Sequence, residues 1–342
     1  MMPPPEESPR HDLRHILIIW VVLLGVLVGA FAMTAIILNA TVFSASGFVS
    51  SYLGALQRHD LAEALGTSGV RGTANASNEL LTPRALGDLA DATIVSDVDQ
   101  GGGLHEVTYS ATVSTTLANP SSPVSRTVSG TFQVQQGEPR LGVFSTWSFL
   151  RSPMAVLFVT PRNDASFTVN GVDVTSPAGP SVGAPFQVLS PGLFTVAHES
   201  GYLTADPVSA AVTTPGSVVS VTVDIQASAA FVAAVQQQVD SFLDACTTQK
   251  VLFPTGCPFG QELSNRVEST PEWSMSRYPA ITIQPGNDLG TWVVPEAQGA
   301  AHLKVEVRSL FDGTLSTFDE DVQFALSWVM TISGDQIDVR QQ

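Results

Sequence analysis

The feature that most constrains this chain is the stretch Ile16–Leu38, which contains no charged side chain. As an α-helix this stretch is roughly 34 Å long, whereas the hydrocarbon core of a bilayer is about 30 Å thick. We therefore predict a single transmembrane helix over residues 16–38. The alternative is a cleaved signal peptide, for which Ala40, Ser44 and Ala45 would supply small residues at a cleavage site. Signal peptides have an apolar region of only about 7–15 residues, so the length favours an uncleaved anchor.

The basic residues near this stretch predict its orientation. Arg10 and Arg14 precede it, and the next basic residue after it is Arg58. Because basic residues beside a membrane span stay on the cytoplasmic side, we expect residues 1–15 to form a cytoplasmic tail. Residues 39–342 would then lie outside, which places the protein in the plasma membrane with its bulk extracytoplasmic.

The acidic balance of the chain excludes some classes of partner. The formal net charge is −16, and beyond residue 38 there are 13 basic residues against 28 acidic ones. A nucleic-acid partner is excluded because it needs a basic surface. The same balance disfavours electrostatic adhesion to anionic lipid headgroups, and it is typical of a soluble exported region.

The two cysteines, Cys246 and Cys257, are the whole cysteine content of the chain. In an exported region, a pair this close in sequence most simply forms a disulfide. A metal site would need further ligands, and no His or Cys cluster lies nearby. A nucleophilic cysteine would need a partner histidine, and the sequence indicates none. We therefore predict a disulfide, no metal site and no cofactor.

The length of the exported part predicts more than one domain. It has about 300 residues, too many for one ordinary core and suitable for two or three. Changes in composition place boundaries near Arg151 and Ala227. The predicted domains cover residues 42–150, 152–226 and 227–342.

The first domain begins with helical patterns and ends with strands. The apolar face of its first predicted helix consists of Phe48, Val49, Tyr52, Leu53 and Leu56. Asp60 with Glu63 predicts a capping box for a short second helix, and Thr82-Pro83 predicts the start of a third. Period-two alternation then predicts strands over 107–113, 128–134 and 143–149. Helices followed by antiparallel strands predict an α+β domain, in which a curved sheet packs on helices.

The second domain has no helical pattern. Asn170-Gly171 between alternating apolar residues predicts a β-hairpin, and further strands are predicted over 186–188, 193–197 and 219–225. The domain is therefore predicted to be an all-β sandwich. Its segments FTVNGVDV and FQVLSPGLFTVAHESGYLTA resemble the PEGA family of small surface β domains, which carry an Asn-Gly hairpin, a Pro-Gly turn and a Gly-Tyr pair.

The third domain again begins with a helical pattern and ends with strands. The apolar positions of the predicted helix are Phe231, Val235, Val239, Phe242 and Cys246. Residues 302–308 alternate, with Leu303, Val305 and Val307 predicted to face inward. Alternation over 322–332 predicts a long partner strand, and Ser333-Gly334-Asp335 predicts the turn into a last strand. This domain is predicted to be α+β, like the first.

These two α+β domains share a plan of an opening helix, a middle of turns and a closing hairpin. In this plan both resemble the NTF2-like (cystatin-like) superfamily, which implies a cone of helix and curved sheet that often encloses a pocket. The whole arrangement is therefore one transmembrane helix plus two NTF2-like copies flanking a β-sandwich. It resembles Mce-associated and TcaA-like envelope proteins of Gram-positive bacteria, although the zinc ribbon of TcaA-like proteins is absent from residues 1–15.

The first domain holds residues that suit proton transfer. NTF2-like enzymes of the ketosteroid-isomerase kind use a buried carboxylate base with an oxyanion donor, and Asp97, Asp99 and Tyr109 have the required chemistry. The competing interpretation is that both aspartates form the polar edge of a turn before the glycines at 101–103. We favour the turn, and we expect no phosphate cradle because no helix follows these glycines.

Two further acidic or histidine-containing stretches were considered as binding sites. His198-Glu199 lies at a predicted strand end, where a surface turn is favoured over a metal site. The acidic run Asp319-Glu320-Asp321 lacks the alternating ligands of a calcium loop, so we expect it to flank the start of a strand. No Gly-x-Ser-x-Gly or His-Glu-x-x-His signature occurs in the chain.

These observations lead to two hypotheses of function. The first is a non-enzymatic envelope protein that binds another protein, a wall polymer or a lipid while the transmembrane helix anchors it. The second is an extracytoplasmic receptor or enzyme that holds a small apolar ligand in a pocket of an NTF2-like domain, beside a buried titratable group.

Overall fold

The computed structural model describes residues 11–115, 124–333 and 336–341. Arg10, most of the predicted tail and the predicted turn at Gly334-Asp335 lie outside the described residues. The four helices in this part of the chain are α1 (His11–Ala40), α2 (Ala45–Gln57), α3 (Leu61–Gly66) and α4 (Ala229–Thr247). The strands are β1 (Asp88–Gly101), β2 (Leu104–Thr115), β3 (Val124–Gln136), β4 (Trp147–Phe149), β5 (Met154–Arg162), β6 (Ser166–Val169), β7 (Val172–Thr175), β8 (Ala184–Leu189), β9 (Gly192–Glu199), β10 (Leu203–Val212), β11 (Val218–Asp224), β12 (Gln226–Ala227), β13 (Arg266–Val267), β14 (Glu272–Arg277), β15 (Gln284–Pro285), β16 (Thr291–Arg308), β17 (Leu315–Ser333) and β18 (Gln336–Gln341).

The N-terminal helix α1 has the length and composition of a membrane span. Its segment Arg14–Ala40 has 27 residues, and its most apolar window has a mean hydropathy of 2.9 and no buried residue. Large apolar side chains such as Trp20, Leu27 and Ile36 are about two-thirds exposed. Among the described helices only this one has these properties, which a signal sequence near an N-terminus would also satisfy. The chain thus has one N-terminal helix that is long and apolar enough to cross a membrane.

The chain divides into two compact units. Unit 1 comprises Met1–Leu157, Phe186–Phe194 and Ala210–Val219, and unit 2 comprises Phe158–Pro185, Thr195–Ser209 and Ser220–Gln342. Residues of the predicted middle domain contribute to both units, and the division into three domains stays a prediction.

The core of unit 1 lies between helix α2 and an antiparallel sheet of order β1-β2-β3-β4. Helix α2 begins after Ser44, whose hydroxyl accepts a hydrogen bond from the Gly47 amide at 3.0 Å. Four of the five residues predicted for its inner face are buried, and Phe48 is half-buried. The capping of helix α3 is also confirmed in part, since Asp60 accepts from the Glu63 amide at 2.9 Å. The Glu63 carboxylate turns instead to Arg58, at 2.6 Å.

Two predictions for unit 1 are wrong, and one strand was not predicted. Thr82-Pro83 starts a turn rather than a helix, because strand β1 begins at Asp88 and leaves no room for one. Strand β1 was not predicted at all, since Val95 and Val98 are exposed where alternation requires polar residues, and its pairing with β2 has three register shifts. The strand predicted over 143–149 contains only Trp147–Phe149, because residues 140–144 form a turn of their own.

The strands between β5 and β12 form two sheets. One has five strands in the order β12-β10-β9-β6-β7, and the other has three in the order β11-β5-β8. The predicted hairpin at Asn170-Gly171 is confirmed, with β6 paired to β7 and positive φ angles of 47° and 73° at these two residues. Two positive φ angles in succession are typical of the type I′ turn that Asn-Gly favours. The sandwich packing of the two sheets stays a prediction.

Unit 2 contains helix α4 and a six-stranded sheet in which β16 pairs with β13, β14, β15 and β17. The predicted alternation in β16 is confirmed, because Leu303, Val305 and Val307 are buried. On helix α4 one predicted inner residue is wrong: Phe242 is 38% exposed, and Leu243 is buried in its place. Successive residues of a helix are rotated by about 100°, so positions 242 and 243 lie on either side of the centre of the inner face. The ring of Phe242 packs edge-on against Trp328.

The two cysteines lie at bonding distance, as predicted. The Sγ atoms of Cys246 and Cys257 are 2.03 Å apart, and their Cα atoms are 5.8 Å apart. Cys246 is the last buried residue of helix α4. The link therefore joins the end of this helix to the loop that follows it.

A candidate functional site at the end of the apolar helix

Unit 1 contains a polar joint at the point where helix α1 ends. The side chain of Asn39 donates to the Val143 carbonyl at 2.7 Å and accepts from the Ser145 amide at 3.1 Å. The Trp147 indole N–H donates to the Phe43 carbonyl at 2.8 Å. These three hydrogen bonds hold the segment 143–147 against the last turn of α1, although more than a hundred residues separate the partners in sequence.

A close backbone approach completes the joint. A Cβ atom placed on Gly47 would lie only 2.4 Å from the Thr41 carbonyl oxygen and 2.6 Å from the Val42 carbonyl oxygen. Only glycine therefore allows the first turn of α2 to pack directly on the linker between the two helices.

An apolar groove of about 620 Å³ opens beside this joint. Its apolar lining residues are Val42, Phe43, Phe48, Phe144 and Trp147, and Arg140 and several serine and threonine residues complete the lining. The rings of Phe43 and Phe144 form its wall, with centroids 4.8 Å apart. Drug-sized ligands bind in apolar clefts of about 300–1,000 Å³ with few polar groups, so the groove has the size and lining of a binding site.

The turn 140–144, which we name the tip turn, borders the groove. Its ends are paired, with the Arg140 amide 2.7 Å from the Phe144 carbonyl and the Phe144 amide 3.0 Å from the Arg140 carbonyl. Leu141 has a φ of 55° and is 85% exposed. A left-handed backbone costs a non-glycine residue roughly 1–2 kcal/mol, and such strain is concentrated at functional sites. An apolar residue thus occupies a strained, exposed position beside the groove.

Arg140 is the charged residue of the groove. In the part of the chain that the structure describes, its guanidinium has neither an ion-pair partner nor a side-chain hydrogen bond. A free guanidinium over an apolar floor suits an amphiphilic ligand with an anionic group, which it can bind through paired N–H donors.

The residues considered for proton transfer are held by other contacts. Asp97 accepts from the Ser46 hydroxyl at 2.6 Å and contacts Nδ1 of His105 at 2.7 Å. Burial opposes ionisation of this carboxyl, but the hydrogen bonds from Ser46 and His105 outweigh it and lower the pKa of Asp97. Asp99 accepts from the Gly101 amide at 2.7 Å in the turn before β2. Both aspartates therefore stabilise local structure.

Tyr109 is likewise a structural residue. It is buried on β2, its hydroxyl donates to the Thr213 carbonyl at 3.0 Å, and its ring stacks on Phe132 at 5.1 Å. Burial raises its pKa, so the hydroxyl stays neutral. Tyr52 is fully buried as well and donates to the Ser190 carbonyl at 2.7 Å. The rings of Tyr52, Tyr109, Phe132 and Phe149 occupy the space between helix α2 and the sheet, where a cone-shaped pocket was one expectation.

His198 was predicted to lie in a surface turn, and this prediction is wrong. It lies at the end of β9 and is only 8% exposed. Its Nδ1 is 2.8 Å from the Ser166 carbonyl, and its Nε2 is 3.3 Å from the Ser200 hydroxyl. Both ring nitrogens are therefore engaged, and the histidine fixes neighbouring loops.

The acidic run 319–321 lies inside β17 rather than before it, because this strand begins at Leu315. His302 on β16 contacts two of its carboxylates, with Nε2 2.6 Å from Asp319 and Nδ1 2.9 Å from Asp321. Hydrogen bonds to Asp321 and Asp319 raise the pKa of His302. Among the described residues no group of three or more His, Cys, Asp or Glu side chains is arranged to hold a metal ion.

The groove was not found from the sequence. Arg140 and Leu141 were not singled out, and no contact of Asn39 with the segment 143–145 was predicted, because these contacts span about a hundred positions. One local signal exists in the sequence. Leu141 is an apolar residue in a loop, and Gly142 directly follows it.

Comparison with known proteins adds little. No protein-family model and no curated protein matches the chain. A solved structure described as "Ntf2 like protein involved in plasmid conjugation" is similar to it, with 10% sequence identity and a TM-score of 0.18. The alignment covers 89% of this chain and 96% of that chain. Because the TM-score is this low, the solved structure does not support the NTF2-like resemblance. That resemblance depends on the order of elements in the sequence.

Proposed function

We propose that this chain is a single-pass, membrane-anchored binding protein of a bacterial cell envelope, with its bulk outside the cell and no catalytic activity. The observation that carries the proposal is the joint in unit 1. An exposed apolar helix of spanning length leads, through the hydrogen bonds of Asn39, into a unit that bears an apolar groove. A binding surface held beside an anchor suits a partner that is itself in the envelope: a protein, a wall polymer or a lipid.

The proposed orientation places the N-terminus in the cytoplasm. Arg14 lies in the first turns of α1, and Arg10 precedes the helix. No basic residue follows for the next 43 positions after Arg14, up to Arg58. The positive-inside bias supports this orientation.

Both helix-and-sheet regions are proposed to be NTF2-like copies, flanking a PEGA-like sandwich in a Mce-associated or TcaA-like arrangement. What supports the first part is the shared order of elements. In each region a helix with a serine N-cap precedes a long antiparallel pair, β2 with β3 in one and β16 with β17 in the other. A solved structure of the exported part would test this assignment directly.

A receptor for a small apolar ligand is the second candidate function. The groove favours it, because its walls are aromatic and its volume fits a ligand. The proposed receptor site is this groove beside the anchor, since aromatic rings occupy the interior between α2 and the sheet.

Topology and anchoring can be tested together. Alkaline phosphatase, which is active only outside the cytoplasm, would be fused after Gln342 of the full chain, and membranes would be washed with alkaline carbonate. We expect an active fusion that stays in the membrane at full mass, and weaker activity when Arg10 and Arg14 are both replaced by Glu. An inactive fusion, or a washed-off product that lacks the first forty or so residues, would overturn the proposal. Substitution of Arg126 and Arg151 by Glu is the control and should leave the activity unchanged.

A further inference from the structure

The geometry points to a membrane phospholipid as the ligand of the groove, with one acyl chain against its aromatic floor and the phosphate on Arg140. This inference rests on the proposed membrane anchoring and names the ligand class. Its first support is position. Asn39 lies one residue beyond the predicted span, and its side chain bonds directly to Val143 and Ser145. The groove therefore opens at the surface of the bilayer that α1 enters.

The depth of the tip turn supports the same conclusion. The headgroup region extends only about 5–7 Å beyond the hydrocarbon core on each side. Val143 is held to the end of α1, and Leu141, 85% exposed, is two residues away. An exposed leucine side chain is unfavourable in water, and this cost falls when the leucine enters the lipid interface.

The lining of the groove combines the two chemical features that would bind a phospholipid, an apolar surface and a cation beside it. Its aromatic lining consists of Phe43, Phe48, Phe144 and Trp147, whose rings offer apolar surface to an acyl chain. Of these residue types, tryptophan is the one enriched at membrane interfaces. Arg140, whose guanidinium is unpaired among the described residues, lies at the tip turn that borders the groove. A phosphodiester beside an acyl chain would satisfy both features, because a guanidinium binds phosphate through two parallel N–H donors.

The charge of the chain restricts which lipid suits the test. With a formal net charge of −16, the protein is repelled by a strongly anionic surface. Phosphatidylcholine carries the phosphodiester and the acyl chains without a net charge. It therefore tests recognition by Arg140 and the groove apart from general electrostatic attraction.

The experiment uses the full chain in phosphatidylcholine nanodiscs that contain a fraction of the same lipid with a diazirine near the end of one acyl chain. After irradiation, adducts are mapped by peptide mass spectrometry. We expect adducts on α1 and, separately, on the groove segments 42–51 and 140–147. The Arg140→Gln variant should lower the groove adducts about tenfold, the effect expected for the loss of one hydrogen bond to a charged group, and leave those on α1 unchanged. Arg126→Gln is the matched control and should change neither.

Each outcome bears on a different step. Adducts on α1 alone, with none on the groove segments, would overturn the lipid inference and leave the anchored binding protein standing. Absence of adducts on α1 as well would overturn the proposed anchoring. Groove adducts that persist undiminished in Arg140→Gln would overturn the assignment of the phosphate to Arg140. Ser51→Trp, which places a large ring in the groove from helix α2, provides a second variant that should lower the groove adducts and spare those on α1.

Discussion

Helices α2 and α4 open the two helix-and-sheet regions and begin in the same way, but they are fixed to the rest of the chain at opposite ends. Each begins after a serine whose hydroxyl accepts from the amide three residues on, Ser44 from Gly47 and Ser228 from Phe231. Each buries one face at helical spacing. The N-terminal turn of α2 is fixed by its close packing on the linker to α1, whereas the C-terminal end of α4 is fixed by the link from Cys246 to Cys257.

This difference shows how one plan can be stabilised by different means. In unit 1 the stabilising features are an aromatic core and a polar joint to the apolar helix α1. In unit 2 they are a covalent closure and charged pairs on the surface of a long strand pair. The joint of unit 1 also forms the walls of the groove, so stability and binding should be coupled there. The closure of unit 2 does not border this groove, and we expect its effect to be on stability.

The largest effect is expected from the aromatic core of unit 1. Phe132 is fully buried, and its ring lies 5.1 Å from Tyr109 and 5.3 Å from Phe149. Phe132→Ala should lower the free energy of unfolding by about 3–5 kcal/mol, since it leaves a cavity among rings that cannot collapse. Urea denaturation followed by fluorescence would measure this. Val95→Ala, on an exposed position of β1, should cost less than about 0.5 kcal/mol.

The covalent closure of unit 2 comes next. The Cys246→Ser/Cys257→Ser double variant should lower the free energy of unfolding by about 3 kcal/mol, the chain-entropy value for a loop of this length. Reductant should lower the stability of the natural chain by a similar amount and have no effect on the variant. If reductant changes neither protein, the closure does not stabilise unit 2 and the contrast between α2 and α4 fails.

The joint of unit 1 can be tested with two glycines of the same helix. Gly47→Ala places a Cβ atom against the Thr41 carbonyl and should cost about 1–3 kcal/mol, because backbone must move. Gly54→Ala meets only the flexible end of the Arg58 side chain, 3.1 Å away, and should be neutral or stabilising by up to about 1 kcal/mol. Thermal denaturation of both variants would compare their changes in stability. Equal effects would mean that the close approach at Gly47 contributes nothing to the joint.

The elements that could be predicted from the sequence are those with strong local signals. The inner face of α2, the Asn170-Gly171 hairpin and the alternation around Leu303 each depend on residues a few positions apart. The turn after Thr82 was missed for the opposite reason. A local start signal was present, but Gly87 packs so closely on the Leu193 backbone that a Cβ would lie 2.6 Å from its carbonyl oxygen. The fold around position 87, and not the local sequence, decides that segment.

The candidate site could not be predicted because it is made entirely of distant contacts. Asn39 and Val143 are 104 positions apart, and neither residue type indicates the other. Strand β1 was missed because Val95 and Val98 are exposed and Leu89 is its one buried residue, so its apolar residues lack the alternation that marks a half-buried strand. Arg140 has no ion-pair partner among the described residues, whereas Arg58 and Arg308 are paired. No local pattern around these arginines distinguishes the unpaired one from the paired ones.

The smallest effect is expected from the charged surface of unit 2, and it depends on pH. His302 lies between Asp321 and Asp319, and because both acceptors are carboxylates, both ring nitrogens donate only when the imidazole is protonated. These hydrogen bonds raise the pKa of His302, and the bond from His302 lowers the pKa of Asp321. The histidine's contribution to stability is therefore fully present below its ordinary pKa of about 6.5 and is lost as pH rises through the raised value.

The aspartate has the opposite dependence. The contribution of Asp321 is present above its ordinary pKa and is lost as pH falls through the lowered value, so the cluster stabilises the sheet between the two titrations. The effect is small because all three side chains are at least a third exposed. NMR titration of the imidazole should show a pKa above 6.5 that moves toward the ordinary value in Asp319→Asn and further in Asp319→Asn/Asp321→Asn. A histidine that titrates at its ordinary pKa in the natural chain would remove the cluster from the features that distinguish unit 2.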